Sequence, residues 1–401
     1  MKRGVATVLI VFLAMLVFVD FQFIARSETP PEPDRISPIE TTILAQYEKA
    51  DSIYIRSNSE FELVSASGTG TPSDPYVIKN LEINSSQTCI RVEDTTAHFI
   101  ISNCRLESYG GGFAVNFINV ANGMIANCDC SGIGGISIAD STSVSIEDTI
   151  VCMSSIGIHL NRDRNVTVKG CTLFFNYWGT ELQQTSNSLI LDNLIYGNWH
   201  NGVWLDSSTY NNSVYGNSIG WNNVVNQGYS NARDNGGNNH FDDDVSIGNL
   251  WSDYDGVGIY IINIENGSID SFPQKFEDNI APVLEPVEDV MIDFDTVGNI
   301  LTWVTYDEYP RAYRIHEDNK DFPIAPWMGG NITFSLDHLE KGPHEINITL
   351  YDGAGNEALD RVRVLVYSSD FGGVGTELVM IASLTTVIWF VVILTLIKKL
   401  S

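Results

Sequence analysis

Between about residues 76 and 220, apolar and polar positions alternate in short runs that return at nearly constant spacing. Glycine followed by apolar-any-apolar appears as Gly112-Phe113-Ala114-Val115, Gly135-Ile136-Ser137-Ile138, Gly157-Ile158-His159-Leu160, Gly179-Thr180-Glu181-Leu182 and Gly202-Val203-Trp204-Leu205. An earlier copy has Cys89 in the glycine slot, as Cys89-Ile90-Arg91-Val92. The last apolar position falls at 92, 115, 138, 160, 182 and 205, in steps of 23, 23, 22, 22 and 23. A fixed period in this range marks a solenoid. A second column holds Asn80, Asn103, Asn127, Asp148, Gly170, Asn193 and Asn217, each after a short apolar run. Asn, Asp and Gly tolerate a left-handed turn. The period within each run is two, which is the period of a strand.

Each repeat therefore reads as a rung of two or three short strands joined by tight turns. One rung buries too little apolar surface to offset the cost of ordering its backbone, so rungs must stack and both ends need caps. The expected fold is all-β, a right-handed parallel β-helix over 51–275, after a linker and N-terminal cap over 27–50. A linker over 276–284 leads to residues 285–367. There, short alternating runs such as Ile300-Leu301-Thr302-Trp303-Val304 and Ile332-Thr333-Phe334-Ser335-Leu336 predict an immunoglobulin- or fibronectin-like β-sandwich with Trp303 as core aromatic.

The ends are apolar. Lys2-Arg3 precede a run from Val5 to Val19, read as a signal peptide over 1–26, with an uncleaved anchor as the alternative. A spacer over 368–377 leads to Leu378–Ile397, 20 residues without a charge, long enough to span a bilayer. Lys398-Lys399 in the 398–401 tail put that end in the cytoplasm and the β regions outside, at the cell surface. Six sequons, at Asn84, Asn165, Asn211, Asn266, Asn331 and Asn347, fit an exterior glycoprotein. The 22 basic residues against 50 acidic ones give a net charge of −28, which argues against nucleic acid as a partner.

The run Asn231-Ala232-Arg233-Asp234-Asn235-Gly236-Gly237-Asn238-Asn239-His240-Phe241-Asp242, followed by Gly248-Asn249-Leu250-Trp251-Ser252-Asp253-Tyr254-Asp255-Gly256, resembles the final-rung signature of NosD-like parallel β-helix proteins. Asp74-Pro75-Tyr76-Val77-Ile78 looks like the opening of archaeal β-helix surface proteins, and residues 285–367 resemble their membrane-proximal modules. The resemblance covers about 51–275. It departs after the Trp-Ser-Asp-Tyr core, where an acidic, glycine-rich segment is shortened to Asp255-Gly256-Val257-Gly258. The family name is tied to copper handling, yet the seven histidines form no close pair in the sequence and there is no Met-rich run.

Chemistry has few candidates. On the outward column, Glu181 and Asp206 fall one rung and two residues apart, about 8 Å from strand geometry, with His159 beside them. That separation lies in the roughly 6.5–9.5 Å window of inverting glycosidases. Aromatic residues gather late in the stack. Trp204, expected to face outward, and Trp199, Trp221 and Tyr196 are candidates for holding sugar rings, whereas alternation points Trp178 inward. Asp242, Asp243, Asp244, Asp253 and Asp255 are candidate calcium ligands, and no other cofactor is expected. The six cysteines all lie in the repeat, where Cys104 and Cys128 fall on adjacent rungs; buried thiols are the simplest reading and their oxidation state stays open. The expected function is non-enzymatic recognition or adhesion at the cell surface, toward carbohydrate or a surface-layer component. A polysaccharide lyase or hydrolase, and a structural spacer, are the alternatives.

Overall fold

The computed structural model describes residues 47–222 and 231–368. The predicted signal peptide, most of the linker before residue 50, and the 378–397 span lie outside them. Among the described residues no helix is long and apolar enough to cross a membrane.

Residues 48 to 275 wind into a parallel β-solenoid of about eight turns. Seven strands, from Tyr76–Lys79 to Ser213–Tyr215, stack as one parallel sheet. A 16-stranded sheet wraps the other two sides, because Arg105–Val120 and Asp129–Ala139 run unbroken around a corner. Ile, Val and Leu fill one continuous core, from Ile55 through Ile138 and Leu182 to Trp251. The turn column is left-handed at Asn80, Asn103, Asn127, Asp148 and Gly170, as expected. Above them the left-handed residues are Asp192 and Gly216, not Asn193 and Asn217.

The glycine column has a steric cause. A Cβ on Gly135 would come within 2.1 Å of the Gly157 carbonyl oxygen. One on Gly157 would meet Gly179 at 2.5 Å, and one on Gly179 would meet Gly202 at 2.4 Å. None of these residues has a positive φ, so the requirement is close rung approach. Gly112 does not belong to this column. Phe117, not Val115, pairs with Val92 and with Ile138. The register shifts between Ser108 and Phe113, where the corner at Gly110-Gly111-Gly112 takes up extra residues. The outward residue of that rung is therefore Asn116, and Ala114 is fully buried.

Residues 283–367 form a second all-β region. A sheet orders Val290–Asp293, Glu357–Tyr367, Gly342–Asp352, Pro310–Glu317 and Lys320–Asp321, facing the pair Ile300–Trp303 and Ile332–Ser335. Trp303 is fully buried in its core, and its indole donates to Asp360 at 2.8 Å. The region packs on the solenoid's side. Cys152, Phe174 and Tyr196, stacked in register, are covered by Tyr309, and the Tyr196 hydroxyl donates to the Pro310 carbonyl at 2.7 Å.

Candidate functional site

The outward column of the first strand reads, by register, Tyr54, Arg91, Asn116, Ser137, His159, Glu181, Trp204 and Arg233. Glu181 is only 3% exposed and accepts a hydrogen bond from the Gln183 amide. On either side of it, His159 Nε2 and Trp204 Nε1 are buried without a hydrogen-bond partner. Asp206 does not join them as a free carboxylate. Its Oδ1 accepts from the Ser208 N–H at 2.9 Å, the Gln184 N–H at 3.2 Å and the Thr209 hydroxyl at 2.7 Å. The expected Glu181–Asp206 acid–base pair is thus corrected: one member is covered and the other holds a turn.

The aromatic candidates divide into two groups. Tyr196 is 2% exposed, and Trp221 packs between Phe276 (centroids 4.3 Å apart) and Tyr309 (5.7 Å). A Cβ on Gly353 would meet both Tyr196 and Trp221, so the second β region lies directly on them. Tyr196 is covered and Trp221 is half-buried against the second β region, which corrects their expected role as open platforms. Trp199 and Trp204 stay on the open side. Trp199 is 38% exposed and meets Phe175 edge-on at 5.9 Å. Trp204 lies 5.7 Å from Trp178, which is half-buried on the outward side and outside the core. That corrects the inward assignment of Trp178. The N–H groups of Tyr177 and Trp178 both donate to the rung below, and those of Gly179 and Thr180 both donate to the rung above. Paired donations of this kind break strict alternation at the start of the strand.

Tyr177 completes the surface. It is 44% exposed, packs edge-on to Trp178 at 4.5 Å and lies 4.2 Å from the His200 ring. Met153, Ser154, Ser155, Phe175, Tyr177 and Trp199 line a hollow of about 360 Å³ open to solvent. The corner has a backbone cause: Met153, Phe175 and Gly197 are left-handed at equivalent positions of successive rungs. Tyr177 belongs to the late aromatic gathering but not to its four candidate residues, and Phe175 and Met153 carry no signal in the strand pattern. What marks all three is that each lies at or just after such a corner, where side chains leave the strand alternation.

The expected calcium ligands do not converge. Asp243 Oδ1 accepts three backbone N–H groups, from Val245, Ser246 and Ile247. Asp242 accepts from Asp244 and Ser271, Asp255 from Val257, and Asp253 from the Asn231 amide and the Tyr260 hydroxyl; Asp244 is exposed, near His240. These carboxylates are spent on turns and on the cap. Among the described residues the one converging set is Asp278, Asp307 and Asp352, with ligand atoms within 4.8 Å of one another. Burial raises the Asp307 carboxyl to about 6 and also raises that of Asp352. Asp352 is already satisfied by the Gly355 and Asn356 N–H groups.

Copper would call for imidazole, thiolate or thioether donors. Cys152 Sγ lies 3.8 Å from Met328 Sδ, but Cys152 joins no set of three or more converging His, Cys, Asp or Glu donors among the described residues. No histidine or cysteine belongs to a converging ligand set among the described residues. The described residues do not fit a copper centre. Of the sequons, Asn84, Asn165, Asn211, Asn266 and Asn331 are exposed and Asn347 is half-buried; the Asn266 amide donates to the carbonyls of Asp234 and Gly236.

A family model described as periplasmic copper-binding protein (NosD) matches residues 48–256. No curated protein matches the chain. Among solved structures, ORF18 of Geobacillus virus E2 is 10% identical, with 78% of this chain and 73% of that one covered, at a TM-score of 0.36. The A-module of the mannuronan C-5 epimerase AlgE6 of Azotobacter vinelandii is 14% identical over 45% of this chain and 60% of its own, at 0.29. The fibronectin(III)-like modules of Clostridium thermocellum CbhA are 16% identical over 22% of this chain and 96% of theirs, at 0.17. The family match spans just over half of the chain and coincides with the solenoid. The chain belongs to the NosD family of parallel β-helix proteins.

Proposed function

We propose that this protein recognises carbohydrate at the corner formed by Tyr177, Trp199 and their neighbours. The observation that carries the reading is the exposed pair Tyr177 and Trp199 flanking a hollow of about 360 Å³, backed by Trp178, His200 and Trp204. Flat apolar rings beside hydrogen-bonding groups suit the mixed surface of a pyranose, and the volume falls in the range of small-ligand sites. The reading includes an exported, cell-surface location, anchored by the 378–397 segment, with residues 285–367 as an immunoglobulin-like module and with glycans at exposed sequons. The test is a panel of polysaccharides presented to the full chain, read for binding and for released reducing ends. Binding without turnover, lost in Trp199→Ala, supports recognition.

A second reading, a polysaccharide-active enzyme, has one observation in its favour: the unpartnered His159 Nε2 lies next in register to Glu181. Turnover that disappears in Glu181→Gln and His159→Ala would select it. Silence in both channels would leave a structural spacer or a protein adhesin.

A further inference from the structure

Arg105 and Asp129 pair in register on adjacent rungs, which sets the residues before them, Cys104 and Cys128, one above the other. Both follow left-handed asparagines, Asn103 and Asn127, so the two turns have the same shape. The Asp129 N–H donates to the Cys104 carbonyl at 2.9 Å, which fixes the spacing at the pair itself. Adjacent rungs are about 4.8 Å apart, within the roughly 4.4–6.8 Å Cα separation of disulfides. In the structure both are free thiols inside the core, 0% and 1% exposed, and each donates to a backbone carbonyl two residues before it, Cys104 to Ser102 and Cys128 to Ala126, both at 3.3 Å.

We propose that Cys104 and Cys128 form a disulfide that staples these two rungs together. The oxidant is a disulfide of the export compartment, R–S–S–R. The Cys104 thiolate attacks one of its sulfurs, the S–S bond breaks and the first R–S⁻ leaves. Cys128 then attacks the Cys104 sulfur of the mixed disulfide and expels the second R–S⁻. Two cysteine thiols are oxidised, one disulfide is reduced to two R–SH, and both protons pass from the cysteines to the leaving groups. Exchange precedes closure of the rungs, because neither sulfur is reachable afterwards. The other four cysteines, Cys89, Cys130, Cys152 and Cys171, stay as thiols, each raised by burial. The exported location proposed above supplies the oxidant; the staple does not depend on the carbohydrate reading.

The experiment is thiol counting on the full chain, isolated from an exporting host and, separately, refolded with oxidised glutathione as the oxidant. Under denaturing conditions without reductant, four of the six cysteines are expected to alkylate, and all six after reduction. Cleavage between Cys128 and Asp129 separates Cys128 from Cys130, and peptide mapping should then return a Cys104–Cys128 link. Reduction should lower the melting temperature by about 5 °C or more, because the closed loop restrains the unfolded chain. Six reactive thiols in the refolded protein, or a link between any other pair, overturns the proposal.

Discussion

The indole of Trp251 donates its N–H to Asp270 at 2.8 Å, and the same carboxylate oxygen accepts the backbone N–H of Asn249 at 2.7 Å. Asp270 thereby closes a ladder inside the solenoid. Asn249, Asn217 and Asn193 each accept the backbone N–H of the residue one rung below, down to Cys171. Each also donates its amide to an inner carbonyl of the preceding rung. A second ladder climbs from Ser154 through Asn176, Asn198, Asn222 and Asn231 to Asp253. A third climbs from Ser188 through Asn212 and Asn239 to Asp234. The top of each ladder has no further asparagine to bond, so an acceptor-only carboxylate ends it.

Asp270→Ala leaves the Asn249 N–H and the Trp251 indole N–H buried without acceptors. The expected loss is about 2–4 kcal/mol, read by denaturant unfolding of the full chain. Asp255→Ala, in an exposed turn, should change stability by less than about 0.5 kcal/mol. Equal effects for the two would show that the cap does not hold the stack.

Gly157→Ala puts a methyl group 2.5 Å from the Gly179 carbonyl oxygen and 2.9 Å from the Asn176 amide. Backbone cannot yield there without opening two rungs, so a loss of about 2 kcal/mol or more is expected. Gly111→Ala provides the comparison: its Cβ meets nothing within 4 Å, and only its left-handed φ resists. The smaller loss should be at Gly111.

Tyr196→Phe removes the hydrogen bond to Pro310 and should cost about 1 kcal/mol. Tyr196→Ala opens the contact with Phe174 and Tyr309 and should cost about 3–5 kcal/mol. Calorimetry of the alanine variant should show the solenoid and the second β region melting in separate transitions. One unchanged transition would mean that their contact carries little energy.

Burial raises several carboxyls above the ordinary carboxylate value, among them Asp129, Asp270 and Asp352, and carries Asp163 to about 7 and Asp307 to about 6. Each is charged more easily in the unfolded chain than in the folded one. Their contribution to stability is full below the unfolded value of 3.8 and is lost as pH rises through about 6 to 7. The melting temperature should therefore rise on acidification across that window. Asp307→Asn, which keeps an acceptor for the Tyr309 N–H, should flatten part of the profile. An identical profile in wild type and variant would remove Asp307 from the account.

Most of the solenoid was legible because every rung repeats the same inward apolar positions, and a period survives without knowledge of contacts. What failed was local or long-range. Three glycines at 110–112 let the corner lengthen while the strand continues, so counting residues placed Val115 where Phe117 belongs. Asn193 and Asn217 looked like turn residues because asparagine serves both the left-handed turn and the ladder beside it. Tyr196 and Trp221 looked available because nothing near them in the sequence reports that Tyr309 and Gly353 cover them. Glu181 falls on the expected strand and Asp206 just past the end of the next one, but strand geometry does not show that turn N–H groups occupy a carboxylate.

The central claim is that Tyr177 and Trp199 hold a sugar ring. Titrating the full chain with the polysaccharide that binds best in the panel, by calorimetry, tests it most directly. Trp199→Ala and Tyr177→Ala should each weaken binding by about tenfold or more, while Tyr109→Ala, which removes an exposed aromatic on a different rung, should leave it unchanged. Equal affinity in all four proteins would contradict the claim and place the ligand elsewhere on the solenoid.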